Sequence, residues 1–133
     1  MRRELLLRSR NRCTRIERRF LAVELGTLKR GMTNGSDNNY IQVEWLQKQY
    51  SGRCQICGFD PRTRYGHRLC HGHHIVWLCR GGEDRIRNMV LICPNHHAAV
   101  HQADAIFDFA GLEFRFANGV TERLQLNQHL RAA

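Results

Sequence analysis

The sequence lacks any apolar run long enough to cross a bilayer, any leader-like apolar core ahead of a small-residue cleavage site, any internal repeat and any low-complexity tract. It also has only two prolines in 133 residues. The first two absences argue against a membrane-spanning or exported protein. The others argue against a repeat array and against bulk disorder. We therefore expect an intracellular, cytoplasmic protein with no membrane partner. In that compartment the six cysteines are expected to be reduced, some of them holding metal, rather than to form a disulfide framework. A chain of this length builds one modest core, so a structural metal would add useful stability.

What is plentiful is positive charge. The chain carries a net +9, which points to an acidic partner, nucleic acid first of all. Residues 1–30 hold ten Arg/Lys against three Glu, and residues 31–133 eleven against nine acids. Most of the general attraction for polyanions thus sits at the N-terminal end.

Residues 1–33 read as a basic amphipathic helical arm. Leu6, Cys13, Ile16, Phe20 and Val23 recur at helical spacing and make an apolar face. Arg8, Arg12, Arg15 and Arg19 form a parallel stripe suited to phosphates. The apolar face could also pair two chains as a homodimer. Residues 34–39 are polar and turn-rich, hence a linker. Residues 40–105 form the core unit. It holds a helix over 41–52 with Ile41, Trp45 and Leu46 inward, strands at 72–77 and 89–92, and a helix from Pro94 to about Ala105. Residues 106–133 contain an Asn-Gly turn between alternating segments, the mark of a C-terminal β-hairpin. The fold class is α+β.

Cys54 and Cys57 form C-x2-C, and Cys93 and His96 form C-x2-H. Two such half-sites on tight turns can close a tetrahedron around Zn²⁺. Cys70 and Cys79 are rivals for the fourth position.

Residues 71–101 hold six of the eight histidines. His97 and His101 are four apart on the expected helix, so their rings share a face and can chelate one ion. His73 and His74 are neighbours on a strand and point to opposite sides. One can join the helix histidines while the other serves as a base. An imidazole of ordinary pKa, ~6.5, is largely neutral at physiological pH and can take a proton from water. Arg80, Arg85 and Arg87 lie in the loop between the strands, where they could grip phosphates.

The run from "GRCQICG" through "HHIVWLCRGGEDRIRN" to "LICPNHHAAVH" resembles the HNH endonucleases of ββα-metal fold, over roughly residues 50–102. Each element is weak alone, and in this order and spacing they are specific. The resemblance implies a small ββα-metal core stapled by zinc. It makes His74 the general base and His73 a metal ligand completed by His97 and His101. Asn88 would brace the loop and orient His74. It further implies hydrolysis of DNA phosphodiester bonds with one divalent ion at the phosphate, Mg²⁺ first, with Mn²⁺, Ni²⁺ or Zn²⁺ able to serve. The products would be a 5′ phosphate and a 3′ hydroxyl. The chain departs from many relatives in ending the second half-site with His96 rather than cysteine, and in Trp77-Leu78-Cys79 where a proline is common. The competing expectation is a zinc-stapled nucleic-acid-binding module that does not cut.

Overall fold

The computed structural model describes residues 36–133. The arm over 1–33, with Arg8, Arg12, Arg15, Arg19 and its apolar face, lies outside the described residues. In chain order these comprise α1 (Ser36–Gln49), α2 (Pro61–Tyr65), β1 (His71–His74), β2 (Met89–Ile92), α3 (Pro94–Ala103), β3 (Ile106–Asp108), β4 (Glu113–Arg115) and β5 (Thr121–Arg123). β1 and β2 pair antiparallel, with His71 opposite Ile92 and His74 opposite Met89. β3, β4 and β5 form a second antiparallel sheet in that order. The α+β class and the small ββα unit are as expected. Among the described residues no helix is long and apolar enough to cross a membrane.

Local chemistry accounts for the boundaries. Pro94 occupies the first turn of α3, where a missing N–H costs nothing. Cys93 caps that turn, its Sγ accepting from the His96 N–H at 3.4 Å. Asp104 ends α3 in the left-handed region (φ 49°), its N–H returning to the carbonyls of His101 and Val100, so the helix stops at Ala103 rather than near Ala105. β1 is shorter than the expected 72–77. After His74 the chain leaves the ladder, the Ile75 N–H meeting the Asn88 carbonyl at 2.7 Å. The Asn118-Gly119 turn joins β4 to β5 as anticipated, Gly119 supplying φ 92°. β3 adds a third strand to that hairpin.

α1 corrects two expectations. It begins at Ser36, inside the stretch read as a linker, because Ser, Asp and Asn open helices as readily as they make turns. Its buried stripe is Val43 and Leu46, continued by Tyr50 just past its end, while Ile41 is 55% and Trp45 38% exposed. Gln42 and Gln47 are buried in their stead, and each donates to a backbone carbonyl: Gln42 to Asp84 at 2.6 Å and Gln47 to Cys70 at 2.8 Å. The short α2 was not anticipated. It is opened by Asp60, which accepts from the Thr63 N–H at 3.1 Å.

The β1–β2 pair packs between α1 and α3. Gly72 faces α1 so closely that a Cβ there would lie 2.7 Å from Val43 Cγ2. His71 and His73, on the alternate side, face α3. Gln55, inside the C-x2-C turn, extends the β2 ladder. Its N–H donates to the Leu91 carbonyl and its Oε1 accepts from the Leu91 N–H, each at 2.8 Å. Its own carbonyl accepts from the N–H groups of Gln125 and Leu126. Phe114, Leu124 and Leu130 belong to the same buried cluster as β1 and β2, so residues 106–133 help build the core.

Candidate metal centres and active site

Two groups of ligand atoms come together. The first is Cys54, Cys57, Cys93 and His96, whose Sγ and imidazole nitrogen atoms all lie within 4.8 Å of one another. His96 Nδ1 is 3.2 Å from Cys93 Sγ and 3.9 Å from Cys54 Sγ. The half-sites ride on the turn after α1 and on the first turn of α3. Cys54 is fully buried, and burial pushes its thiol up to about 12. A buried thiol gives up its proton readily only to a cation. Three thiolates and an imidazole at this closeness suit tetrahedral Zn²⁺. Neither rival joins the group: Cys70 is a buried free thiol, and Cys79 is disulfide-bonded, against the expectation of reduced cysteines throughout. On the far side of His96, Nε2 lies 3.7 Å from Glu122 of β5.

The second group is His73, His97 and His101, again with one ligand atom each within 4.8 Å. The His97 and His101 Nε2 atoms are 2.9 Å apart. The His73 ring centroid lies 4.8 Å from that of His101 and 5.4 Å from that of His97. His73 Nε2 is buried without a hydrogen-bond partner, which is costly for a polar atom unless something fills the place. Burial, followed by the neighbouring imidazoles, holds His73 well below the usual histidine range. The same causes push His97 down to about 3. Burial also lowers His101. All three are therefore neutral donors at physiological pH, the form that binds a divalent ion.

Further residues stand around this triad that sequence reasoning did not assign to it. His71 Nδ1 lies 2.7 Å from His97 Nδ1, so one of the two carries the shared proton and His97 is left to point Nε2 at its partners. The signal was present, since strand alternation puts His71 on the same side as His73. Phe114 of β4 stands 6.0 Å from the His73 ring. Trp77 stacks 5.0 Å from His101, with the Arg80 guanidinium 4.2 Å over its ring.

His74 lies at the end of β1, 1% exposed, and its Nε2 is 3.0 Å from Asp84 Oδ1. Asn88 is 6% exposed and braces the loop with its whole amide. Oδ1 accepts from the Val76 N–H at 2.9 Å, while Nδ2 donates to the carbonyls of Val76 and Glu83 at 2.9 and 2.8 Å. Asn88 thus ties the loop from Val76 to Glu83, and the carboxylate meeting His74 Nε2 is that of Asp84. Gly82 passes so near Val76 that a Cβ would fall 1.8 Å from its carbonyl oxygen. That closeness accounts for Gly82, whereas Gly81 supplies the left-handed φ of 87°.

The loop arginines differ in surroundings. Arg80 reaches both carboxylate oxygens of Asp104, at 2.7 and 3.0 Å. Arg87 is bidentate on Glu83 at 2.5 and 2.6 Å. Arg85 is exposed and makes no ion pair among the described residues.

Residues 54–103 match the family model described as HNH endonuclease, and both ligand groups fall within that stretch. EcoKMcrA, a type IV methyl-directed restriction enzyme of Escherichia coli (strain K12), is 34% identical over 59 residues, covering 43% of this chain and 21% of its own length. Among solved structures, the modification dependent TagI restriction endonuclease is similar at TM-score 0.52 and 25% identity, over 66% of this chain and 32% of its own. The chain therefore spans about a fifth of the curated relative and about a third of the structural one.

Proposed function

We propose that this chain is a metal-dependent endonuclease that hydrolyses phosphodiester bonds in DNA, with double-stranded DNA as substrate. The observation that carries the reading is the meeting of three neutral imidazoles, His73, His97 and His101, directly beside His74 at the end of β1. A divalent ion on that triad, Mg²⁺ first among candidates, would offset the negative charge that grows on the phosphate and on the departing 3′ oxygen. His74 accepts the proton of the attacking water. Asn88 holds the loop from Val76 to Glu83 in shape. Zinc on Cys54, Cys57, Cys93 and His96 fixes the start of the helix that presents His97 and His101.

Affinity for DNA in this reading is largely electrostatic. Arg85 of the loop and the arm's Arg8, Arg12, Arg15 and Arg19 contact phosphates, and Arg80 and Arg87 do so where a phosphate displaces their carboxylate partners. The relatives, a methyl-directed and a modification-dependent restriction enzyme, point to modified DNA as the target class.

The test is cleavage of supercoiled plasmid, unmodified and methylated, with Mg²⁺, Mn²⁺, Ni²⁺ or EDTA. Metal-dependent nicking or linearisation by wild type, reduced about 10³-fold or more in His74→Ala, is the expected result. Binding without cutting by both proteins under every metal would favour the non-catalytic module instead.

A further inference from the structure

We propose that Asp84 is the positioning residue of His74: its carboxylate fixes which nitrogen of the ring carries the proton and which way the ring faces. The inference rests on the reading of His74 as the general base and adds a member to that site. A carboxylate only accepts hydrogen bonds when ionised. The 3.0 Å contact between His74 Nε2 and Asp84 Oδ1 therefore places the imidazole proton on Nε2 and leaves Nδ1 with the lone pair. Without such a partner a histidine samples both tautomers, and only one presents the basic nitrogen correctly.

The carboxylate is held ready from several sides. The buried Gln42 of α1 donates to the Asp84 carbonyl at 2.6 Å. Asn88 donates to the carbonyl of the preceding Glu83 at 2.8 Å. The Gly82 N–H returns to the Trp77 carbonyl at 3.0 Å. A loop tied at three points beside one side chain has few ways to move it. Asp84 is itself only partly exposed, at 26% for its side chain, so its bond to His74 is not open to full competition from water. Asn88 and Asp84 thus divide the task that one asparagine was expected to perform: Asn88 shapes the loop, and Asp84 meets the base.

The experiment uses the full chain loaded with its metals. Long-range ¹H–¹⁵N spectra of ¹⁵N-histidine protein, recorded where imidazoles are neutral, report the His74 tautomer. Wild type is expected to show the Nε2–H form, and Asp84→Ala a mixture. In plasmid cleavage, kcat is expected to fall about 10- to 100-fold in Asp84→Ala, with KM and DNA affinity unchanged. Asp84→Asn, which keeps the shape and can still offer an oxygen, should fall between the two and guards against a folding artefact. An unaltered tautomer in Asp84→Ala overturns the inference. So does an unaltered kcat in Asp84→Ala when His74→Ala is inactive, which leaves the base assignment standing. If His74→Ala itself cuts at the wild-type rate, the base assignment fails and the inference falls with it.

Discussion

His97 sits among His71, His73 and His101, and burial, followed by His101 and His71, holds its pKa at about 3. That value has a consequence for stability. The unfolded chain takes up protons near 6.5, whereas the folded one resists until about 3, so acid favours unfolding throughout that interval. The contribution is complete above pH 6.5, declines below it and is exhausted near pH 3. His73 and His101 are shifted in the same direction and add to the slope. With zinc retained and no other divalent ion added, the thermal midpoint should fall from pH 8 to pH 5, and fall less in His97→Ala. Calorimetry at the two pH values checks this, and equal slopes for wild type and variant would refute it. The triad was legible residue by residue, because i,i+4 spacing on a helix and alternation on a strand each define a face. Asp84 was not, since nothing in "GGEDRIRN" says which acid folds back ten residues onto His74. Only the course of the loop decides that.

At the scale of elements, α3 joins the two metal groups. Its cap Cys93 and first-turn His96 belong to one group, and His97 and His101 further along to the other. Removing the zinc should therefore disturb the histidine triad as well as the staple. Losing ~3 kcal/mol, a small part of what structural zinc supplies in small modules, lowers the midpoint of a domain this size by roughly 10–25 °C. A strong chelator, or Cys54→Ser, should produce at least that drop in a melting curve together with loss of cleavage. Unchanged melting would show that the tetrad holds no stabilising ion. α3 and β2 were readable from Pro94 and from the four-residue apolar run "MVLI". The phase of α1 was not, because Ile41 and Trp45 are apolar by type while the packed face needs Gln42 and Gln47 to satisfy the carbonyls of Asp84 and Cys70. α2 and β3 are too short to show a period. β3 is recruited only because β4 offers it an edge, Phe107 lying opposite Phe114.

At the scale of the whole molecule, the C-terminal segment is part of the site's support. Phe114 lies under His73, Glu122 stands beside His96, and Gln55 ties the C-x2-C turn to Gln125 and Leu126. A hairpin signal in the sequence reveals the turn, but not that the hairpin closes over the metal groups, because that depends on contacts spanning seventy residues. In the proposed reading the three-histidine group holds the ion on which cutting depends, separately from the zinc staple. The most direct measurement is metal stoichiometry and plasmid cleavage on the same preparations of wild type and His97→Ala, with zinc retained and Mn²⁺ titrated in. Wild type should bind one Mn²⁺ beyond its zinc and cut. His97→Ala should keep the zinc, lose the Mn²⁺ and cut at least about 10²-fold more slowly. Undiminished Mn²⁺ binding or undiminished cutting by His97→Ala would contradict the account.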